Sequence, residues 1–336
     1  MLAFCYYVVK LWINIYRVII IFDCHYDLLT YIYMNKNNLK KVKKHCEKIF
    51  KNNITGGIFN LFYMSPQEMK EEIKIQKEEI NIIENLKTVN KLIKENDLIP
   101  KNIKYIYGIE GLDYLEKIKD IDLIYNLGVR SANIVWNNDN KFGGGVKGNK
   151  TRGLTALGEE LVKKLVDKKI AIDLSHANEK TFYDIADLCM NLKQKGKKPI
   201  VFISHSNVRK LCNVPRNLTD DQIRKIKELD GVIGIVAVKP FCIKEAKFNN
   251  DKMKYYNAYV EHIKYVKNLL GGVDNIVVST DDMTYYETRH YRNFNVFKQE
   301  NIRHDLETLL RSSFFNREEI EKILYKNFCE KVLSKL

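Results

Sequence analysis

Proline is scarce in this chain, with five among 336 residues. That excludes Pro-rich linkers and argues against a modular array. Cysteine offers no framework either. The seven cysteines are scattered at positions 5, 24, 46, 189, 212, 242 and 329, and no Cys-x-x-Cys occurs. An odd, dispersed set in a large chain excludes a disulfide scaffold and points to a reducing compartment, the cytoplasm. No internal repeat and no low-complexity tract is visible.

A clean hydrophobic run of membrane length is also missing. Met1 to Phe22 is apolar overall, but Lys10, Asn14 and Arg17 interrupt it. A span needs about 20 mostly apolar residues. A signal peptide would place its charge first and end on a small-residue cleavage site. Neither pattern fits. Residues 1–17 therefore read as an N-terminal extension, with a membrane-associated segment as the alternative, and 18–336 as a single domain.

Acidic residues are outnumbered. Lys and Arg total 56 against 42 Asp and Glu, a net charge of +14. Excess positive charge suits nucleic acid or an anionic surface. Here Lys, Asn and Ile are abundant throughout. The basic clusters (Lys40, Lys41, Lys43, Lys44 and Lys193, Lys195, Lys197, Lys198) alternate with apolar helix residues or sit in loops. No recognition motif accompanies them, so no nucleic-acid partner is expected.

What is present is ordinary globular chemistry, 45% hydrophobic and 29% charged. Eight short apolar runs recur: 18–22, 57–63, 105–109, 131–136, 170–174, 200–204, 232–238 and 275–280. Such runs read as strands buried on both faces. Helical patterns separate most of them. Ser65-Pro66-Gln67-Glu68 combines an N-cap, a Pro at the first helical position and a Glu at the third. Asn178 opens another helix, and Thr219-Asp220-Asp221-Gln222 has the capping-box form. Eightfold strand–helix alternation predicts an α/β fold, a (β/α)8 TIM-type barrel, with a doubly wound open sheet as the alternative.

In such a barrel chemistry gathers where strands end. The residues there are His25 and Asp27 after the first run, Glu110 after the third, Trp136-Asn137 after the fourth, His176 after the fifth, His205 after the sixth and Asp281-Asp282 after the eighth. Singly, each has a plain structural reading as a cap, a turn or a packed imidazole. Together, five acids and imidazoles on one rim (His25, Asp27, Glu110, His176, His205) suit a divalent metal centre with open positions for water.

Other features carry less. The run 143–151, Gly-Gly-Gly-Val-Lys-Gly-Asn-Lys-Thr, looks like a phosphate loop. Asn149, however, separates the last Gly from Lys150, where the motif demands adjacency. It reads as a flexible loop over the barrel mouth. Cys24 lies between two candidate ligands, but strand alternation turns it away from them. His45, His262, His290 and His304 read as packing or surface residues. The Tyr255-Tyr256 and Tyr285-Tyr286 pairs fit the substrate mouth and packing equally.

At this point the chain resembles the membrane (renal) dipeptidase family, metallopeptidases on an amidohydrolase-like barrel. The pieces that carry the resemblance are DCHYDLL (23–29), GIEG (108–111), GLTALGEELVKKL (153–165), IDLSHANEKTF (172–182), SHSNVRKLCNVPRNLTDDQI (204–223) and GVIGIV (231–236). The resemblance implies a zinc-dependent dipeptidase with two metal ions, acting through a metal-bridging hydroxide. It implies that His25 and Asp27 bind the first ion, that Glu110 bridges both, and that His176 and His205 bind the second. Arg216 would hold the substrate's free carboxylate, and Asp281 would accept and return the catalytic proton. It also implies a homodimer.

Three positions depart from the family pattern. Trp136 stands where a substrate-contacting His is usual, which leaves Asn137 or the metal to polarise the scissile carbonyl. The usual acidic motif after strand eight reads Asp281-Asp282-Met283-Thr284. The gap between His176 and His205 carries a Lys-rich insert at 193–198. The alternative function is another metal-dependent amide or lactone hydrolase of the same superfamily.

Overall fold

A computed structural model describes residues 20–52, 54–62, 81–245, 249–282, 294–297 and 302–336. The expected N-terminal extension, the helix expected from Ser65, the Tyr285-Tyr286 pair and His290 lie outside these residues.

Eight strands form one parallel sheet in chain order: β1 (Phe22–Tyr26), β2 (Gly56–Phe62), β3 (Lys104–Glu110), β4 (Val129–Asn133), β5 (Ala171–Asp173), β6 (Val201–Ser206), β7 (Ile233–Val236) and β8 (Ile276–Ser279). The sheet curls until β8 meets β1. There the Asp281 N–H donates to the His25 carbonyl at 3.0 Å, and the Thr280 N–H donates to Asp23 Oδ1 at 2.9 Å. The result is a nearly closed (β/α)8 barrel, and the open doubly wound sheet is excluded.

Seven strands largely coincide with the apolar runs that announced them, and the first shares only Phe22 with its run. The expected strand was 18–22, whereas β1 begins at Phe22 and continues through Asp23, His25 and Tyr26. All five of its residues are buried. The apolar run thus leads into the strand, and buried polar residues complete it.

Helices cover the outside: α1 (Leu28–Met34), α2 (Leu39–Asn52), α3 (Ile82–Asn96), α4 (Ile121–Asn126), α5 (Ala156–Asp167), α6 (Glu179–Gln194), α7 (Asp220–Glu228), α8 (Lys252–Leu270) and α9 (Ile302–Ser312). In α6, Phe182, Ile185, Ala186 and Cys189 are buried at the spacing of one helical stripe. Its N-cap Asn178 accepts from the Thr181 N–H at 2.8 Å. The expected capping box at α7 is formed by Thr219 and Gln222. No helix among the described residues is long and apolar enough to cross a membrane.

A helical stretch from Arg317 to Lys331 closes the N-terminal end of the barrel. Phe328 is fully buried there. It stacks on Phe22 at 4.3 Å between ring centroids and meets Phe202 edge-on at 6.0 Å. The Asn327 amide donates to the carbonyls of Val273 and Ile276 at 2.6 and 2.8 Å, tying this floor to the start of β8. Chemistry is left to the opposite end.

Candidate metal centre

Five of the eight strands, β1, β3, β5, β6 and β8, deliver the candidate residues to that opposite end, β1 supplying two. His25 lies within β1, and Asp27 follows it. Glu110 is the last residue of β3, His176 lies in the turn between β5 and α6, His205 is in β6, and Asp281 is two residues past β8. All six are buried. His176 and Asp281 adopt positive φ angles of 70° and 43°. L-residues enter this left-handed region at a cost, and such cost concentrates at functional sites.

The structure brings these residues together in two adjoining groups. In the first, His25 Nε2 lies 3.4 Å from Asp27 Oδ1, 3.7 Å from Glu110 Oε2 and 4.0 Å from Asp281 Oδ1. In the second, His176 Nε2 lies 2.6 Å from Glu110 Oε1 and 2.9 Å from His205 Nε2, which is itself 3.3 Å from Glu110 Oε1. The two oxygens of Glu110 are thus divided between the groups. Both sets, His25–Asp27–Glu110 and Glu110–His176–His205, are compact enough to hold a metal ion.

Electrostatics favour a cation here. Burial raises the Glu110 carboxyl well above its ordinary range, with Asp27 and Asp281 adding to the rise while His25 and Arg216 oppose it. Burial likewise lifts Asp281 to about 6, against the pull of His25. Burial opposes charge on His25, yet Glu110, Asp27 and Asp281 around it raise its pKa to about 10. Three carboxylates packed into a desolvated site thus demand positive charge. His176 and His205 fall well below their ordinary value, chiefly through burial, so both rings are neutral, the form that ligates metal. His25 Nε2 is buried without a hydrogen-bond partner while facing three carboxylates. An orphaned imidazole nitrogen among carboxylate oxygens fits a divalent metal's donor set.

The imidazoles are held from behind. His176 Nδ1 pairs with Asn137 Oδ1 at 2.9 Å. Asn137, expected to polarise the scissile carbonyl, thus also positions a ring through its amide oxygen, while its NH2, the group that would donate to a carbonyl, takes no part in this contact. Ser204 Oγ lies 3.2 Å from His25 Nδ1 and 2.5 Å from His205 Nδ1, and it donates to Asp173. Sequence reasoning missed Ser204 and Asp173. Both stand beside the histidines in Asp-Leu-Ser-His and Ser-His-Ser, and that adjacency was the available clue.

Arg216 reaches the same mouth. Its Nη2 is 3.1 Å from His176 Nε2, and its carbonyl accepts from the Ser206 hydroxyl at 2.7 Å. Next to it, the Asn217 amide donates to the carbonyls of Cys212 and Phe241 at 2.9 and 2.8 Å, fixing the turn. Trp136 is half-buried beside His176, with ring centroids 5.8 Å apart, and packs on Phe62 at 4.7 Å. An aromatic wall thus stands at the position of the departure.

The glycine-rich segment is fastened rather than free. Asp139 accepts from the amides of Gly145 and Asn149 at 3.1 and 3.0 Å. The Val146 N–H donates to the His176 carbonyl at 2.9 Å. A Cβ on Gly145 would come within 2.4 Å of the Asn137 and Asn138 carbonyl oxygens. Glycine serves close backbone packing here, and these loop amides are already spent within the protein. The expected flexible loop is instead a brace behind His176.

The remaining candidates stay outside the cluster. Cys24 is fully buried against Gly234, and burial raises its thiol well above the ordinary value, so it is no nucleophile. His262 is buried between the Val208 N–H and the Cys242 carbonyl, and His45 stacks on Tyr31 at 3.7 Å, both packing roles. His304 is exposed.

Comparison with known proteins agrees with this geometry. The model of the family described as membrane dipeptidase (peptidase family M19) matches residues 12–335. An uncharacterized protein from the pqqA 5′ region of Klebsiella pneumoniae is 35% identical over 191 residues, 55% of this chain and 66% of that protein. An uncharacterized dipeptidase of Schizosaccharomyces pombe is 30% identical over 188 residues, 55% of this chain and 43% of that protein. The match thus spans about half the length of these curated relatives. Among solved structures, a metallo peptidase from Rhodobacter sphaeroides, liganded with a phosphinate mimic of the dipeptide L-Ala-D-Ala, superposes with a TM-score of 0.72 at 20% identity, covering 95% of this chain and 99% of that one. A probable dipeptidase from Pseudomonas aeruginosa, PvdM, gives 0.67 at 15% identity over 87% of this chain and 89% of its own.

Proposed function

The chain belongs to the membrane dipeptidase family, peptidase family M19, and from that premise we propose that it is a metal-dependent dipeptidase whose buried cluster holds two divalent cations, zinc being the expected metal. One observation carries the reading. The two oxygens of Glu110 face separate donor groups, Oε2 toward His25 at 3.7 Å and Oε1 toward His176 at 2.6 Å. A carboxylate placed this way suits a bridge between two ions.

When bound, such ions supply Lewis acidity and lower the pKa of water toward about 7. The protein's own groups do the rest. Asp27, Glu110, His25, His176 and His205 are the proposed ligands. Asp281, with its carboxyl lifted to about 6, is matched to accepting a proton near neutral pH and returning it to the leaving amine. Arg216 presents a planar fork beside the His176–His205 group. It would take the substrate's terminal carboxylate in a bidentate pair and so limit substrates to short peptides. Asn137, Ser204 and Asp173 keep the imidazoles aimed.

The test combines metal analysis of the purified protein with hydrolysis of a dipeptide panel, before and after chelation. A lactone panel runs alongside. Two equivalents of metal and chelator-sensitive dipeptide cleavage are expected. Metal-free protein with unchanged dipeptide turnover would overturn the metal reading. Lactone turnover without dipeptide turnover would move the enzyme to another amidohydrolase reaction.

A further inference from the structure

Behind the cluster, one hydroxyl touches an imidazole from each group. Ser204 Oγ lies 2.5 Å from His205 Nδ1 and 3.2 Å from His25 Nδ1. Serine, Asp173 and both rings are buried. A hydroxyl has one proton to give and two lone pairs to receive. The proton goes to Asp173 Oδ2. The Ser175 hydroxyl, 3.3 Å away, cannot compete, because it donates to Asp173 Oδ1 at 2.8 Å and accepts from the His205 N–H at 3.2 Å. Both Ser204 lone pairs are then left for the two Nδ1–H groups.

We propose that Ser204, its proton held by Asp173, is a positioning residue that sets the tautomer of His25 and His205 together. Both rings keep hydrogen on Nδ1, so Nε2 is the nitrogen each offers toward Glu110, bare on neutral His205 and freed on His25 when a cation replaces its second proton. The inference rests on the two-metal reading above for its consequence, since His25 and His205 serve different ions. One serine thereby couples the two sites. The coupling follows from β5 and β6 lying side by side, which sets Asp173 against Phe202 in register and brings its carboxylate to the Ser204 N–H at 2.9 Å.

Asp173→Asn makes the claim sharp. Oδ1 of Asp173 accepts from the Ser175 N–H at 3.0 Å and the Ser204 N–H at 2.9 Å as well as from the Ser175 hydroxyl. An oxygen must stay there, so the amide NH2 of asparagine occupies the Oδ2 place and donates to Ser204. The serine must then give its own proton to one imidazole Nδ1. That ring moves its hydrogen to Nε2 and loses its ligand lone pair.

The experiment measures metal affinity by competition with a chromophoric chelator, using zinc, for the wild type, Ser204→Ala, Asp173→Asn and Asn137→Ala. Removing a group that orients a ligand lowers metal affinity by about 10–100-fold. Ser204→Ala is expected to weaken both ions to that extent. Asn137→Ala, which touches only His176, is expected to weaken one. Asp173→Asn is expected to weaken at least one ion by about 10–100-fold despite its matching shape. Loss of a single ion in Ser204→Ala, or wild-type affinity in Asp173→Asn, would overturn the proposal. Long-range 15N–1H spectra of the metal-free wild type give an independent reading that needs no variant. Hydrogen on Nδ1 of neutral His205 is expected, and hydrogen on Nε2 would sink the proposal. A wild type that binds no zinc but shows the Nδ1 tautomer would refute the metal reading and leave the tautomer assignment standing.

Discussion

Asp281 gives its backbone N–H to the carbonyl of His25 at 3.0 Å. The last strand is thereby hung on the first at the level of the site. One turn of chain supplies both the barrel's seam and a carboxylate facing His25 Nε2 at 4.0 Å. Backbone geometry and chemistry are coupled at this point, and the predictions below probe such couplings.

His205→Ala removes a neutral imidazole that approaches both His176 and Glu110. The expected outcome is loss of at least one metal equivalent and of nearly all dipeptide hydrolysis. Metal analysis and steady-state kinetics check it. Full metal content with full activity would exclude His205 as a ligand.

Arg216→Lys keeps the charge and loses the fork. A charged hydrogen bond contributes about 1.5–3 kcal/mol, roughly ten- to a hundredfold in rate or affinity. Dipeptide kcat/KM should fall by that order, and a substrate with an amidated C-terminus should lose far less. Equal losses for the two substrates would remove the clamp role.

Gly145→Ala forces a methyl group against two carbonyl oxygens, each within 2.4 Å. One belongs to Asn137, whose side chain holds His176. The loop must shift, and weaker metal binding is expected although the substitution lies outside the ligand set. Chelator competition on the variant measures it. Unchanged affinity would show that the loop does not brace the ring.

Acid should destabilise the fold through His262. Burial lowers its pKa from 6.5 to about 4, partly offset by its bond to the Cys242 carbonyl. Its Nδ1 accepts the Val208 N–H at 3.1 Å, which a protonated ring cannot do. Between those two values the unfolded chain binds more protons, so this contribution is complete above about pH 6.5 and is lost as pH falls toward 4. From pH 6.5 to 5 the loss is about 2 kcal/mol. His45, also lowered to about 4 chiefly by burial, acts with the same sign. Urea midpoints at pH 7 and pH 5 should show a smaller difference in His262→Gln than in the wild type.

Phe328→Ala should cost about 3–5 kcal/mol, because a buried ring is replaced by a cavity. Denaturant unfolding reads the loss. Below the new transition, catalysis per folded molecule should be preserved, since the ring lies at the far end of the barrel from the cluster.

Much of this architecture was legible in the residues themselves. Continuous apolar runs announce buried parallel strands, and Asn178 and Thr219 announce helix starts, because both are local effects. The runs misplaced β1 for an equally physical reason. Asp23 and His25 are buried in the strand because partners across the barrel satisfy them, as Thr280 does for Asp23. Hydropathy along one segment carries no trace of such partners. The rim residues could be found by their place after strands. Ser204 and Asp173 could not be given roles, since those roles exist only once β5 and β6 lie side by side. The hold of Asn137 on His176 was not legible either, since only the folded chain brings its amide oxygen to the ring.

The Phe22–Phe328 stack joins residues from opposite ends of the described chain. A ribosome releases the first partner long before the second, so through most of synthesis the barrel has no floor and β1 keeps an open edge. Contacts of such long range slow folding and leave strand edges exposed to other chains. Closing the barrel floor therefore waits until Phe328 has been made, and until then β1 has no ring to rest on.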